Sequence, residues 1–298
     1  MPLTTVHIPA MHCDRCKQRI ETAVTALEYV NAVHIDLERK HVTVMWDEPQ
    51  TWQFIAATLS ALDYPTMPIQ QTKRHVAIVL YDGFTALDAV GPYEILVSLP
   101  ETQVHFVSDR HGPVTADTGQ LQLIAHKTWQ ELPHPDVIVI PGGGAGLMKA
   151  AENHALKSWL IEAHAQSTWT TSVCTGVFLL GVTGIVAGLD VTTHWGSRNA
   201  IASYCQATYL AERFVVQGKI ITAAGVSAGI DMALYLAQQL SDIETAQAIQ
   251  LACEYDPHPP FQSGNFQNTD SRLHHVANQI IQIHRVNPVS QTESATHQ

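Results

Sequence analysis

Two kinds of hydrophobic patterning follow one another along the chain. In the first stretch, short apolar segments of strand length alternate with helical stripes. Residues 4–8 suit a strand, and 16–27 carry an apolar stripe through Ile20, Val24 and Leu27. Residues 29–37 and 41–46 suit two strands about the polar turn Glu38-Arg39-Lys40, and 52–62 carry a second stripe through Phe54, Ile55, Leu59 and Leu62. A last short strand is expected at 66–69. The order β-α-β-β-α-β is that of a ferredoxin-like domain, placed at residues 1–70 and followed by a short polar linker at 71–74.

From residue 75 the pattern changes to unbroken apolar runs. Residues 75–81, 136–140 and 170–173 read as strands buried on both faces, because a parallel sheet covered by helices needs no polar side. Further strands are expected at 103–108 and 120–125, and a hairpin about Gly218 joins 213–217 to 219–222. Helices are expected at 93–98, 153–166, 177–180 and 230–240. Strands alternating with helices predict an α/β fold with a mainly parallel sheet over 75–266, expected to be a flavodoxin-like sandwich. Residues 267–298 are read as a C-terminal helix and tail. An amphipathic stripe through Leu273, Val276, Ile280 and Ile283 predicts the helix at 271–286, and the polar residues beyond Val289 suit disorder.

Ligands of such sheets sit at the carboxyl ends of the strands. Asp88, Gly142, Gly143, Gly144 and Cys174 each lie just after a predicted strand. Cys174 stands between a β-branched strand and an apolar helix, the strand–turn–helix arrangement of a nucleophile elbow. A helix N-terminus favours thiolate, whereas an ordinary free cysteine is simply buried. The run Pro141-Gly-Gly-Gly-Ala-Gly146 fits neither the P-loop nor the dinucleotide fingerprint. It suits either an oxyanion pocket or a tight turn. His194 is a possible pocket residue, though a chain with 17 histidines brings several near any site by chance. Cys205 and Cys253 read as buried.

Composition narrows the function classes. A net charge of −11 without a basic cluster argues against nucleic-acid binding. Neither a signal peptide nor a long apolar span is evident, so a cytoplasmic protein without a membrane partner is expected. Five cysteines, two of them in Cys13-Asp-Arg-Cys16, suit thiol and metal chemistry more than a disulfide framework. Two thiolates at this spacing converge on one soft ion, Cu(I) ahead of Zn, since a closed zinc site needs four ligands. His12 offers a third donor. A redox pair is the competing reading of the two cysteines.

The segment Met11-His-Cys13-Asp-Arg-Cys16 resembles the M-x-C-x-x-C loop of heavy-metal-associated domains, with Ala10 where a Gly is usual. The resemblance implies metal binding at Cys13 and Cys16, with Tyr64 packed under the loop. Residues 75–266 resemble the PfpI/ThiJ-type superfamily, related to class I glutamine amidotransferases. The motifs are Leu87-Asp88-Ala-Val-Gly91-Pro92-Tyr93, Val139-Ile-Pro-Gly-Gly-Gly144, Thr171-Ser-Val-Cys174-Thr175-Gly176, Thr192-Thr-His194-Trp195, Ala228-Gly-Ile-Asp231 and residues 254–264. Within that superfamily the match is to the isonitrile hydratase branch. Thr175 stands where peptidase and glyoxalase relatives carry His, and Asp88 stands where many relatives carry Glu.

The resemblance implies a hydro-lyase that converts isonitriles to N-substituted formamides. Cys174 is then the nucleophile, Asp88 the acid and base, and Thr175 a hydrogen-bonding partner of Asp88 or of the substrate nitrogen. Gly142, Gly143, Gly144 and His194 would line the pocket, and catalysis would need no cofactor. The expected partners are an isonitrile, a soft metal ion and a second copy of the chain. Two alternatives stay open: a metallochaperone or copper and redox sensor with an idle large domain, and a glyoxalase or deglycase acting on α-oxoaldehydes.

Overall fold

The computed structural model describes residues 2–68 and 73–285. Its contacts divide the chain into two compact units, 1–72 and 73–298. Ile69, residues 71–72 of the expected linker and the polar tail lie outside the described residues. Arg74, read as linker, opens the first strand of the second unit.

The first unit is built from β1 (Leu3–His7), α1 (Asp14–Thr25), β2 (Val30–Asp36), β3 (His41–Trp46), α2 (Trp52–Ala61) and β4 (Met67–Pro68). Its four strands pair in the order β2-β3-β1-β4, antiparallel throughout. The helical stripes do what their spacing predicts. Ile20, Val24, Ile55 and Leu59 are fully buried with Val6, Val42 and Val44 of the sheet. Phe54, counted in the stripe, is exposed, because it lies off the face that Ile55 and Leu59 share.

The second unit begins with β5 (Arg74–Val79), α3 (Ala86–Leu96), β6 (Thr102–Ser108), β7 (Gly112–Thr115), β8 (Gln122–Ala125), β9 (Lys127–Thr128) and β10 (Val137–Ile140). It continues with α4 (Ala145–Glu152), α5 (His154–Gln166), β11 (Trp169–Val173), α6 (Val177–Val182), β12 (Asp190–Val191), α7 (Ile201–Cys205) and β13 (Thr208–Tyr209). It closes with β14 (Phe214–Gln217), β15 (Ile220–Ala223), α8 (Ala228–Leu240), α9 (Ile243–Ala252) and α10 (Ser271–Arg285). Seven strands form one sheet in the order β14-β15-β11-β10-β5-β6-β9. All its pairs are parallel except β14 with β15, the hairpin expected about Gly218.

Helices cover both faces of this sheet. Thr170 of β11 meets His164 of α5, whereas Val173, three residues on and so on the opposite face, packs against Gly229 of α8. The central strands are correspondingly apolar on both sides. Ile78, Ile138 and Ile140 have no exposed surface, and each such side chain contributes about 1.5–3 kcal/mol by burial. This is a flavodoxin-like sandwich following a ferredoxin-like unit, as the patterning predicts.

Three expectations are corrected. The helix predicted at 93–98 begins seven residues earlier, at Ala86. Gly91-Pro92 suggests a break, yet Pro92 sits inside this helix, and Gly91 lets Ile230 of α8 approach to 3.0 Å from where a Cβ would stand. The glycine run is followed at once by α4, and α9 lies beyond α8; neither was expected. The strand expected at 120–125 is half of a two-stranded antiparallel hairpin, β7–β8, separate from the main sheet.

Candidate functional site

The turn after β11 is strained and held from two sides. Cys174 has φ +59°, a left-handed conformation that costs a non-glycine residue about 1–2 kcal/mol. Its N–H donates to Ala224 O at 2.9 Å, and its carbonyl accepts from Thr193 Oγ1 at 2.9 Å. The turn also passes close to β10: a Cβ on Gly176 would stand 2.2 Å from Ile140 O. Only glycine fits two residues after this cysteine. The Cys174 side chain is 3% exposed, at the junction of the sheet and the helical turn that leads to α6.

Asp88 comes from a different strand end. Thr85 precedes α3; its N–H donates to Gly142 O at 2.7 Å and its Oγ1 to Asp117 Oδ2 at 2.7 Å. That anchor sets the first turn of α3, where a carboxylate is favoured by the helix dipole. Asp88 is fully buried there, and its Oδ2 accepts the Gly142 N–H at 2.9 Å.

The glycine loop joins the two. Gly143 N–H donates to Thr175 Oγ1 at 2.9 Å, and the same hydroxyl donates to Gly143 O at 3.0 Å. A Cβ on Gly142 would stand 2.6 Å from Thr175 Oγ1 and 2.8 Å from Asp88 Oδ2, so both side chains flank one bare Cα. Two of the three amides expected to line an oxyanion pocket are thus engaged within the protein. The amides of Gly142 and Gly143 are directed at Asp88 and Thr175, and Gly144 precedes α4. The loop holds the Asp88 carboxyl and the Thr175 hydroxyl.

Residues that the sequence did not single out complete the site. Tyr81 follows β5, is nearly buried, and donates from its hydroxyl to Pro141 O at 2.8 Å. Burial, and then the negative charges of Asp88, Cys174 and Asp117, push its ionisation well above the ordinary tyrosine range. It therefore keeps its proton. Asp117 is buried in the turn between β7 and β8. The turn residues Ala116-Asp-Thr-Gly119 signal a loop, but only tertiary structure brings that loop to Thr85.

His194 reaches the same end of the sheet. Its ring lies against Gly225, where a Cβ would be 2.4 Å from Cδ2, one residue beyond the Ala224 carbonyl that holds Cys174. Its Nδ1 accepts from Gly196 N–H at 3.1 Å. Trp195 turns to Phe266, with ring centroids 5.0 Å apart. Trp195 and Phe266 line a cavity of about 220 Å³ with Leu273, Val276 and Ile280 of α10. Cys174, Asp88 and Thr175 do not line it. Cys205 is buried, its thiol pushed up to about 11 by desolvation, and the Cys253 thiol donates to Ile249 O at 3.0 Å.

In the first unit, Cys13 precedes α1 and Cys16 lies in its first turn. Their Sγ atoms are 3.3 Å apart. The Cys16 thiol is lowered to about 7, first by the hydrogen bond from the His12 backbone, then by the Tyr64 hydroxyl and Cys13. Tyr64 is nearly buried in the core of this unit. Met11, which opens the loop, is fully buried in the same core. The His12 side chain is engaged elsewhere, with Nδ1 3.1 Å from Lys40 Nζ. Among the described residues no group of three or more His, Cys, Asp or Glu is arranged to hold a metal. The donors on offer are thus two converging soft thiols, which fit a soft ion of low coordination number.

Comparison with known proteins agrees with both halves. The DJ-1/PfpI family model matches residues 74–239, and the heavy-metal-associated domain model matches residues 5–65. Over 190 residues the chain is 41% identical to an isonitrile hydratase of Pseudomonas putida, covering 64% of this chain and 82% of that protein. Over 48 residues it is 38% identical to the copper chaperone CopZ of Staphylococcus saprophyticus, covering 16% of this chain and 71% of that one. A ThiJ/PfpI family protein from Pseudomonas syringae superposes with a TM-score of 0.67 at 30% identity, covering 75% of this chain and 95% of that one. The chain belongs to the DJ-1/PfpI family and carries an N-terminal heavy-metal-associated domain.

Proposed function

We propose that the second unit hydrates isonitriles to N-substituted formamides, and that the first binds a soft metal ion, Cu(I) ahead of Zn. The observation that supports the hydratase reading best is the convergence of Asp88 and Thr175 on Gly142, beside a strained Cys174. Similarity to an isonitrile hydratase supports the substrate class.

The chemistry balances with these groups alone. The isonitrile carbon of R–N≡C takes a proton from the Asp88 carboxylic acid. The Cys174 thiolate adds to that carbon, giving the thioimidate R–N=CH–S–Cys. Water then adds to the same carbon as the Asp88 carboxylate takes one of its protons. The remaining hydroxyl proton passes to nitrogen as the C=O bond forms, and the C–S bond breaks. The products are R–NH–CHO, the Cys174 thiolate and protonated Asp88, so one water is consumed and both groups return to their starting states. Thr175 and the glycine loop hold the acid and the turn in place, and His194, against Gly225 at the same end of the sheet, would line the pocket. This is the chemistry of a hydro-lyase.

In the first unit Cys13 and Cys16 would hold the metal, which supplies soft-ion binding and takes no step in hydration. Thiols of this kind persist in a reducing cytoplasmic compartment. A homodimer is the proposed assembly. The purified protein is expected to release formamide from an alkyl isonitrile and to leave methylglyoxal unchanged. Methylglyoxal turnover without formamide would favour the glyoxalase alternative, and inertness toward both would favour the sensor.

A further inference from the structure

Two consecutive peptides of the glycine loop are hydrogen-bonded at both ends. Tyr81 Oη donates to the Pro141 carbonyl at 2.8 Å. The N–H of that same peptide unit, on Gly142, donates to Asp88 Oδ2 at 2.9 Å. The next unit repeats the arrangement, with Thr85 N–H on the Gly142 carbonyl at 2.7 Å and Gly143 N–H on Thr175 Oγ1 at 2.9 Å. A donor on a carbonyl oxygen draws charge from the attached nitrogen and makes its N–H a better donor. Such chains strengthen each bond by about 10–30%.

The Tyr81 hydroxyl is well suited to this. Burial first, and then the neighbouring acidic groups, keep its proton in place whether Asp88 is ionised or protonated, so it remains a donor. A phenylalanine would fill the same volume without burying a hydroxyl, which is costly unless it is bonded. We infer that Tyr81 is a positioning residue that acts on Asp88 through the Pro141–Gly142 peptide, fixing Oδ2 and favouring the carboxylate. The role rests on the reading of Asp88 as the acid and base, since a donor aimed at a carboxylate favours its ionised form and makes its acid stronger.

The charged groups around α3 leave this relay as a distinct contribution. Cys174 and Asp117 share the site with Tyr81 and Asp88. From α8, Asp231 is bonded to Arg213 and Tyr255. From β5 and β6, His75 and His105 pair with each other, and Arg74 donates to Thr102 and Leu240.

The test is a pH titration of the full chain labelled with ¹⁵N-glycine, following the Gly142 amide. Its midpoint reports Asp88 and is assigned by its loss in Asp88→Asn. Tyr81→Phe is expected to move the Gly142 proton upfield and raise the midpoint by roughly 0.2–0.7 pH unit. Replacement of Tyr81 by 3-fluorotyrosine, a stronger donor of nearly the same shape, is expected to lower it, and this measurement stands if the phenylalanine variant fails to fold. With an isonitrile as substrate, kcat should fall a few-fold in Tyr81→Phe with KM unchanged. An unchanged midpoint and Gly142 resonance in the folded variants would overturn the relay. Because the titration needs no turnover, inactivity toward isonitriles would count against the proposed reaction and leave the reading of the relay intact.

Discussion

Gly142→Ala tests the convergence on which the site depends. The added methyl would lie 2.6 Å from Thr175 Oγ1, 2.7 Å from Thr175 N and 2.8 Å from Asp88 Oδ2, where ordinary contact begins at 3.4 Å. Three gaps must therefore open by 0.6–0.8 Å, and one of them is against backbone. Overpacking of this kind costs about 1–3 kcal/mol. Stretching the charge-assisted bond from Gly142 to Asp88 adds part of its roughly 1.5–3 kcal/mol. A loss of roughly 2–4 kcal/mol lowers the melting temperature of a domain this size by roughly 4–16 °C. Misplacing reacting groups by about 1 Å costs on the order of 100-fold in rate. Scanning calorimetry and formamide release quantified by gas chromatography read the two effects. Gly264→Ala, where no atom lies within 4 Å of the new methyl, controls for adding a Cβ as such. A Gly142→Ala protein that melts within 2 °C of wild type, with kcat within about threefold, would refute the packing of Asp88 and Thr175 about this Cα.

Other outcomes follow from the thiol loop. Cys16 is lowered from the usual 9.0 to about 7, so its thiolate is present above pH 7 and lost as pH falls through 7. Alkylation of Cys16 by iodoacetamide, read by peptide mass spectrometry, should be half-maximal near pH 7, and Tyr64→Phe should shift that midpoint upward. Apparent Cu(I) affinity, measured by competition with a chromophoric chelator, should fall below pH 7 as protons compete for the thiol. Cys13→Ser with Cys16→Ser should abolish this binding and leave isonitrile hydration unchanged; parallel loss of hydration would show that the metal takes part in the reaction.

Much of the site was legible because strand ends can be read from apolar runs. The runs ending near Val79, Ile140 and Val173 by themselves put Asp88, the glycines and Cys174 at one edge of a parallel sheet. The start of α3 was not legible. Asp88, Ala89, Gly91, Pro92, Ile95 and Leu96 are all buried, so this helix lacks the polar face that marks a surface helix, and Gly-Pro reads as a break. Tyr81 and Asp117 were hidden for another reason. Their roles depend on which loops meet across the sheet, and no local periodicity records that. The glycine run was legible as special, but its spacing could not distinguish amides open to a ligand from amides that hold Asp88 and Thr175.

The central claim is that Cys174 forms a covalent intermediate in isonitrile hydration. The direct measurement is formamide produced from an alkyl isonitrile by the wild-type chain and by Cys174→Ala. The account predicts sustained turnover by the wild type and none above the uncatalysed rate by the variant, which should remain folded because it removes only a sulfur atom. Formamide production by Cys174→Ala at a rate near that of the wild type would contradict it.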